Sequence, residues 1–247
     1  MENNILLFAI VGFLAQIIDG TLGMAYGVSS TTFLLSIGIS PAAASASVHT
    51  AEIFTTAVSG LSHWRFGNVD TALLKRLLIP GVIGGVAGAY ILTAIPADII
   101  KPFVSAYLLV MGVVILIKAI RKQTPETSVT THLVPLGLIG GFFDAIGGGG
   151  WGPIVTTTLV ARGNNPRWAI GSVNLTEFFV TLSESIVFAL TIGLTHWQVI
   201  VGLLVGGIVA APVAAYACKR LPTRALMILV GILIIALSIR TIYLALA

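Results

Sequence analysis

Charge is the scarce commodity in this chain. Only 9% of its 247 residues are charged, against roughly 25% in a typical soluble domain. Thirteen basic and nine acidic side chains cannot clothe a soluble globule of this size. Cysteine is scarcer still. Cys218 stands alone, which excludes an internal disulfide and the disulfide-rich secreted class. Polar low-complexity tracts and a collagen period are missing too, which excludes disordered and fibrous chains. Hydrophobic residues fill the space, at 57% and a mean hydropathy of +1.04. The expectation is an all-α integral membrane protein whose first partner is the lipid bilayer. Met1-Glu2-Asn3-Asn4 opens with an acid where a cleaved leader needs positive charge, so the first segment is expected to be retained.

Gly, Pro and charge divide the chain into about ten apolar stretches: 4–18, 25–37, 42–63, 74–94, 99–117, 133–143, 151–161, 168–192, 198–217 and 225–246. A helix needs about 20 residues to cross the hydrocarbon core. The third, fourth, fifth, eighth, ninth and tenth are long enough. The other four are short or broken and form two pairs joined by glycine-rich turns.

The pairs correspond because the chain repeats itself. Offset by 125 positions, Asp19 meets Asp144, Gly23 meets Gly148, Gly27 meets Gly152, Thr31-Thr32 meets Thr156-Thr157, and Glu52 meets Glu177. One inserted residue later, Gly67 meets Gly193 and Tyr90 meets Tyr216. Two paired acids in a chain with nine are hard to obtain by chance. The expected organisation is an N-terminal repeat 1–122, a cytoplasmic linker 123–132 and a C-terminal repeat 133–247, with five segments per repeat.

Charge sets the expected orientation, since cytoplasmic loops collect Lys and Arg. Arg65, Lys75, Arg76, Lys118, Arg121, Lys122, Arg162, Arg167, Lys219, Arg220 and Arg224 fall on one side if crossings alternate. Lys101 and Arg240 fall on the other. The net charge of +4 then reads as topology, and nucleic acid is not implied. An odd number of crossings per half turns the second half upside down, with both termini outside. Trp64, Trp168 and Trp197 sit near stretch ends, as in interfacial belts.

Inverted repeats with paired broken segments are the plan of secondary transporters, and the breaks mark the binding site. Non-helical backbone at membrane depth must be buried in protein or line a wet cavity. Gly147, Gly148, Gly149 and Gly150, then Trp151 and Gly152 opening a new helix, are expected to offer bare N–H groups to an anion. The first copy offers Gly23, Tyr26, Gly27, Ser29 and Ser30. Asp19 and Asp144 are expected to hold the turns by accepting their N–H groups. Glu52 and Glu177 lie inside long stretches. Two readings fit them: proton carriers, or protonated side chains bonded to a carbonyl of the broken helix. Glu184 faces Ser59 in the repeat and so breaks the symmetry. His49 precedes Glu52 by one turn, as Asn174 precedes Glu177. The second copy has no histidine, so a shared polar face lining the substrate path fits both copies better than a metal site. No metal and no cofactor is expected.

An Asp-led glycine turn in an early segment, its duplicate, and the loop Gly67-Asn68-Val69-Asp70 together resemble the TauE/SafE family of sulfite and organosulfonate exporters, also described as a four-toluene-sulfonate uptake permease family. The likeness is strongest over Gly140 to Pro153 and weaker over Gly12 to Gly27. It implies a polytopic transporter of the prokaryotic inner membrane for small anions (sulfite, thiosulfate, taurine, sulfoacetate), coupled to the proton gradient. Thr21, Leu22, Met24 and Tyr26 depart from the glycine-run pattern, so substrate contact is expected to lean on the second copy.

The expectation is therefore a secondary transporter of a small anion, working by alternating access, with the proton as coupling partner. Its substrate, direction and assembly as a homo-oligomer are left open. An intramembrane enzyme is the alternative class, although no Gly-x-Ser-x-Gly or His-Glu-x-x-His motif occurs. A passive anion channel shares the same sequence logic.

Overall fold

In a computed structural model the described residues are 4–22, 24–120, 132–162, 164–217 and 223–246. Gly23, residues 123–131 of the linker, Cys218, Arg121, Lys122, Lys219 and Arg220 lie outside them. The described residues form helices and no strand: α1 (Ile5–Leu22), α2 (Tyr26–Ser36), α3 (Pro41–Arg65), α4 (Thr71–Ala94), α5 (Ala97–Ile120) and α6 (Leu133–Gly147). A π-helical segment (Gly152–Thr156) runs into α7 (Thr157–Ala161), followed by α8 (Pro166–Thr191), α9 (Trp197–Ala217) and α10 (Thr223–Leu246). The protein is an all-α integral membrane protein.

Among the described residues, four helices are long and apolar enough to cross a membrane: Thr71–Ala94, Ala97–Ile120, Trp168–Thr191 and Met227–Ala245. That is fewer than the six long stretches of the sequence. α3 has 25 residues, but Ser45, Ser47, His49, Thr50, Glu52, Thr55 and Thr56 give it a polar face, and all seven are buried. An inner helix needs no uniformly apolar surface, because its polar face meets protein. α9 has 21 residues, Trp197–Ala217, and is apolar over Trp197–Ala211. Outward-facing Leu6, Ile79, Phe103 and Leu190 are well over half exposed, which would be a liability in water and is the ordinary lipid-facing surface of a membrane helix. Trp64, Trp168 and Trp197 are each about half exposed, at helix ends.

Both short pairs break at equivalent places. α1 ends at Leu22 and α6 at Gly147, one offset of 125 apart. Helices resume at Tyr26 and Trp151, again equivalent.

Packing follows the repeat. α1 lies along α9 and α6 along α4, so the first helix of each half embraces the fourth helix of the other. α3 pairs with α8, and α5 with α10. Small residues allow the close approaches. A Cβ on Gly206 would strike the Ala9 carbonyl in α1, and a Cβ on Gly141 would strike the Gly81 carbonyl in α4. The loop Gly67–Asp70 is pinned to α8. Asp70 caps α4 by accepting from Ala72 N at 2.8 Å and Leu73 N at 3.2 Å. Its own N–H donates to Ser172 Oγ at 2.8 Å. The family-like loop therefore serves the join between halves.

Gly206→Val puts a branched side chain into the α1 backbone. The expected cost is about 1–3 kcal/mol, read as a lower midpoint of thermal unfolding in detergent. Val at exposed Val205 replaced by Leu is expected to leave the midpoint unchanged, because that side chain is 47% exposed to the surroundings.

Candidate functional site between two helix breaks

The two breaks touch backbone to backbone. A Cβ on Gly27 would meet Gly149 Cα at 2.5 Å and the Gly148 carbonyl at 2.7 Å. Thr31 Oγ1 of α2 donates to the Gly148 carbonyl at 2.7 Å, tying the first copy to the second. Only glycine at these places lets two main chains come so close.

Asp144 resolves the second break. The N–H groups of Gly148 and Gly149 donate to its carbonyl. Its Oδ1 accepts from Gly150 N at 2.5 Å and Trp151 N at 2.8 Å. Asp19 does the equivalent in the first copy, accepting from Tyr26 N at 3.4 Å. This corrects the sequence expectation in one respect. None of the four N–H groups is bare: those of Gly148 and Gly149 meet the Asp144 main-chain carbonyl, and those of Gly150 and Trp151 meet its carboxylate. Ala25, just before α2, has φ 96°, a left-handed conformation that favours glycine. Its counterpart is Gly150.

A cavity opens where the breaks meet. It is lined by Asp19, Met24, Ala25, Tyr26, Gly27, Val28, Glu52, Gly149, Gly150, Gly152, Pro153 and Glu177. Both glutamates, one aspartate and both breaks therefore share one space. It is narrow, with room for about one water molecule. Glu52 is 5% exposed, and its Oε2 has no hydrogen-bond partner among the described residues. That oxygen does not tie down a carbonyl of the broken helix. Thr56 Oγ1 donates to the Glu52 carbonyl at 2.7 Å, and Thr181 Oγ1 to the Glu177 carbonyl at 2.9 Å. The two glutamates thus sit on equivalent, equally braced turns.

Several expected site residues lie elsewhere. Gly147 ends α6 against Tyr107 of α5. Gly148 takes φ 64° and caps that helix, away from the cavity lining. Ser29 and Ser30 lie on α2 outside the lining, with hydroxyls that have no hydrogen-bond partner among the described residues. Trp151 does not wall the cavity. Its ring is fully buried among Leu73, Leu77, Val155 and Val173, and its Nε1 donates to the Val173 carbonyl at 3.2 Å. A large ring with one donor buries well only where that donor is satisfied. Tyr26 behaves alike: it lines the cavity but sends its hydroxyl to the Leu203 carbonyl at 3.1 Å.

His49 and Asn174 are also outside the cavity lining. His49 Nε2 lies 2.9 Å from Glu184 Oε2 and 3.5 Å from Asp144 Oδ2. Those partners come from α6 and α8, not from Glu52 on its own helix. Asn174 Oδ1 accepts from Ser59 Oγ at 2.9 Å. His49 with Glu184 and Asn174 with Ser59 are the same contact in the two copies. The repeat had already paired 49 with 174 and 59 with 184, so reading those two pairs together would have found it. Lys118 was also missed. Counted among the topological charges, it reaches in from α5 to place Nζ 3.7 Å from Met24 Sδ at the cavity lining. Long basic side chains near helix ends reach along apolar surface in this way.

Two broken-helix units meeting over a small buried cavity define a polytopic membrane transporter. The family follows from comparison. The model of the sulfite exporter TauE/SafE family matches residues 8–241, and the chain belongs to that family. It is 44% identical over 249 residues to the probable membrane transporter protein YtnM of Bacillus subtilis (strain 168), covering 97% of this chain and 83% of that one. It is 26% identical over 229 residues to the probable membrane transporter protein YdhB of the same strain, covering 88% and 91%. No solved structure matches the chain.

Asp144→Ala strands two buried N–H groups. The expected loss is about 2–3 kcal/mol, since hydrogen bonds to a charged group contribute roughly 1.5–3 kcal/mol each. Asp144→Asn keeps an oxygen for Gly150 and Trp151 and is expected to lose less than half as much. Thermal unfolding of the purified variants reads both.

Proposed function

We propose that this protein is a secondary transporter of a small anion, an oxidised sulfur compound such as sulfite, thiosulfate or an organosulfonate. It works by alternating access in the cell inner membrane, with proton coupling. The two halves are of opposite orientation and both termini face outside. It is a carrier and not an enzyme. The observation that carries this reading is the cavity shared by the two touching breaks and the two repeat-related glutamates.

The lining supports proton coupling by simple electrostatics. Asp19, Glu52 and Glu177 face the cavity, and no basic residue is among the lining residues. Two like unit charges 4 Å apart repel by about 4 kcal/mol at an effective dielectric of 20, roughly a thousandfold in affinity. An anion therefore enters well only when the glutamates carry protons. Anion and proton then load together, and neither loads well alone. Lys118, approaching through Met24, is the basic side chain placed to draw an anion to the mouth. The remaining polar contacts come from main-chain groups around Gly27 and Gly152, the only equivalent glycine pair in the lining.

Sulfite, thiosulfate and a simple alkyl sulfonate are expected to raise the unfolding midpoint of the purified protein, because a ligand that binds only the folded state stabilises it by mass action. The rise is expected to be larger at lower pH. No response to any of the anions sinks the anion reading. In proteoliposomes, Glu52→Gln with Glu177→Gln is expected to flatten the pH dependence of flux at least about tenfold. If transport and its pH dependence are both unchanged, the glutamates carry no coupling proton.

A further inference from the structure

Three buried side chains meet where the halves join, outside the substrate cavity: His49 of α3, Asp144 of α6 and Glu184 of α8, each side chain at most 2% exposed. Their hydrogens can be placed from their neighbours. His49 Nδ1 lies 2.8 Å from the Ser45 carbonyl oxygen. A carbonyl only accepts, so Nδ1 carries a hydrogen. Ser45 Oγ, 3.1 Å from the same nitrogen, gives its hydrogen to the Ala145 carbonyl at 2.6 Å. Asp144 Oδ1 is filled by Gly150 and Trp151. A neutral imidazole would then turn the lone pair of Nε2 toward Glu184 Oε2 at 2.9 Å and Asp144 Oδ2 at 3.5 Å. Three acceptors would face one another with no donor, which is costly for buried groups. A cation has to lie between them.

We infer that this cluster binds one exchangeable proton, shared between His49 Nε2 and the Glu184 carboxylate, and that the proton clasps α3 of the first half to α6 and α8 of the second. Spacing favours a proton over a metal. The three ligand atoms lie within 4.8 Å of one another, but Nε2 and Oε2 at 2.9 Å stand at hydrogen-bond distance. Two ligands of one tetrahedral zinc would stand about 3.3 Å apart.

The other copy shows what the same contact looks like without an acid. His49, Ser45 and Glu184 correspond to Asn174, Ile170 and Ser59. Asn174 Nδ2 donates to the Ile170 carbonyl at 3.0 Å, as His49 Nδ1 does to Ser45. Ser59 Oγ then donates to Asn174 Oδ1 at 2.9 Å. The hydrogen joining the halves there belongs to a hydroxyl and stays. At His49 it is an acid proton and can leave. One end of the pseudo-symmetric pair titrates and the other does not.

The ionisable groups around His49 are all acids or phenols. Glu52 lies on α3 itself, Glu184 and Glu177 on α8, and Asp144 on α6. Tyr107 of α5 sits beside Asp144, and Tyr26 of α2 beside Glu52. α4 brings Gly85 against Glu184, and α9 has no ionisable residue over Trp197–Ala211. Phe188 stacks on the imidazole at 6.1 Å. Loss of the proton leaves two carboxylates and a lone pair among these groups, and repulsion opens the clasp at this end alone. The proton site stands on this geometry; only its place in a transport cycle rests on the transporter reading.

The test uses full-length protein in lipid nanodiscs and needs no substrate. Nitrogen NMR of histidine-labelled protein is expected to show His49 Nε2 protonated near about pH 6 and bare near about pH 9. Glu184→Gln is expected to move that transition. Amide exchange over residues 45–52, corrected for base catalysis, is expected to rise about tenfold across the same range as α3 opens locally. In His49→Asn with Glu184→Ser, which copies the neutral clasp, that rise is expected to vanish. An unchanging His49 ring across the range, or stoichiometric metal in the purified protein, overturns the proposal. If the double variant does not fold, the wild-type nitrogen spectrum alone decides. Absence of transport in the proteoliposome assays leaves these readouts intact, so the two readings fail separately.

Discussion

Asp144 stands one turn before a break in a helix, and its two carboxylate oxygens face two different problems. Oδ1 takes the N–H groups of Gly150 and Trp151, while Oδ2 faces His49 of the other half. Unbonded main-chain N–H groups are hardly tolerated at membrane depth. The break can exist only because a short acidic side chain fills donors that the lost helix turn no longer fills. Once the break exists, glycine lets Gly149 approach Gly27, the cavity opens between the two breaks, and His49 finds a partner across the join. The break, the cavity and the contact between halves all hang on that residue.

Positions 125 apart share their shape, while much of their chemistry differs. Asp19 and Asp144 both cap the helix that follows a break. Tyr26 and Trp151 both anchor that helix by sending one donor to a carbonyl of a neighbouring helix. Gly207 and Gly81 lie against those two rings, in α9 and α4. The differences fall on charge. One copy joins the halves through His49 and Glu184, the other through Asn174 and Ser59. One break carries four glycines, while the other carries Met24 and a left-handed Ala25.

The sequence made much of this legible. The first and sixth apolar stretches end at 18 and 143; the helices run four residues further, to Leu22 and Gly147, still one offset of 125 apart. The shared cavity of Glu52, Glu177 and the two breaks follows from their matched positions along each half. Other features stayed hidden for identifiable reasons. Helical periodicity put His49 on the face of Glu52, but its Nε2 is met by Glu184 and Asp144 from two other helices. Trp151 sits in the turn expected to hold the anion, yet its ring swings toward α4 and α8. Lys118 read as an orientation signal, since its Cα lies at a helix end while its Nζ travels well inward.

Composition and punctuation by themselves determined that the chain is an all-helical membrane protein, and the offset of 125 pointed to two equivalent helix breaks. These are one-dimensional properties: hydropathy sums along a segment, and a duplication keeps its spacing. Only the tertiary structure decided which donors remain open and which acids find partners. His49 turning to Glu184 and Trp151 burying its ring among Leu73, Leu77 and Val173 each depend on where a side chain from a distant segment lies. Spacing along the chain carries no such information when the partner is about a hundred residues away and on another helix.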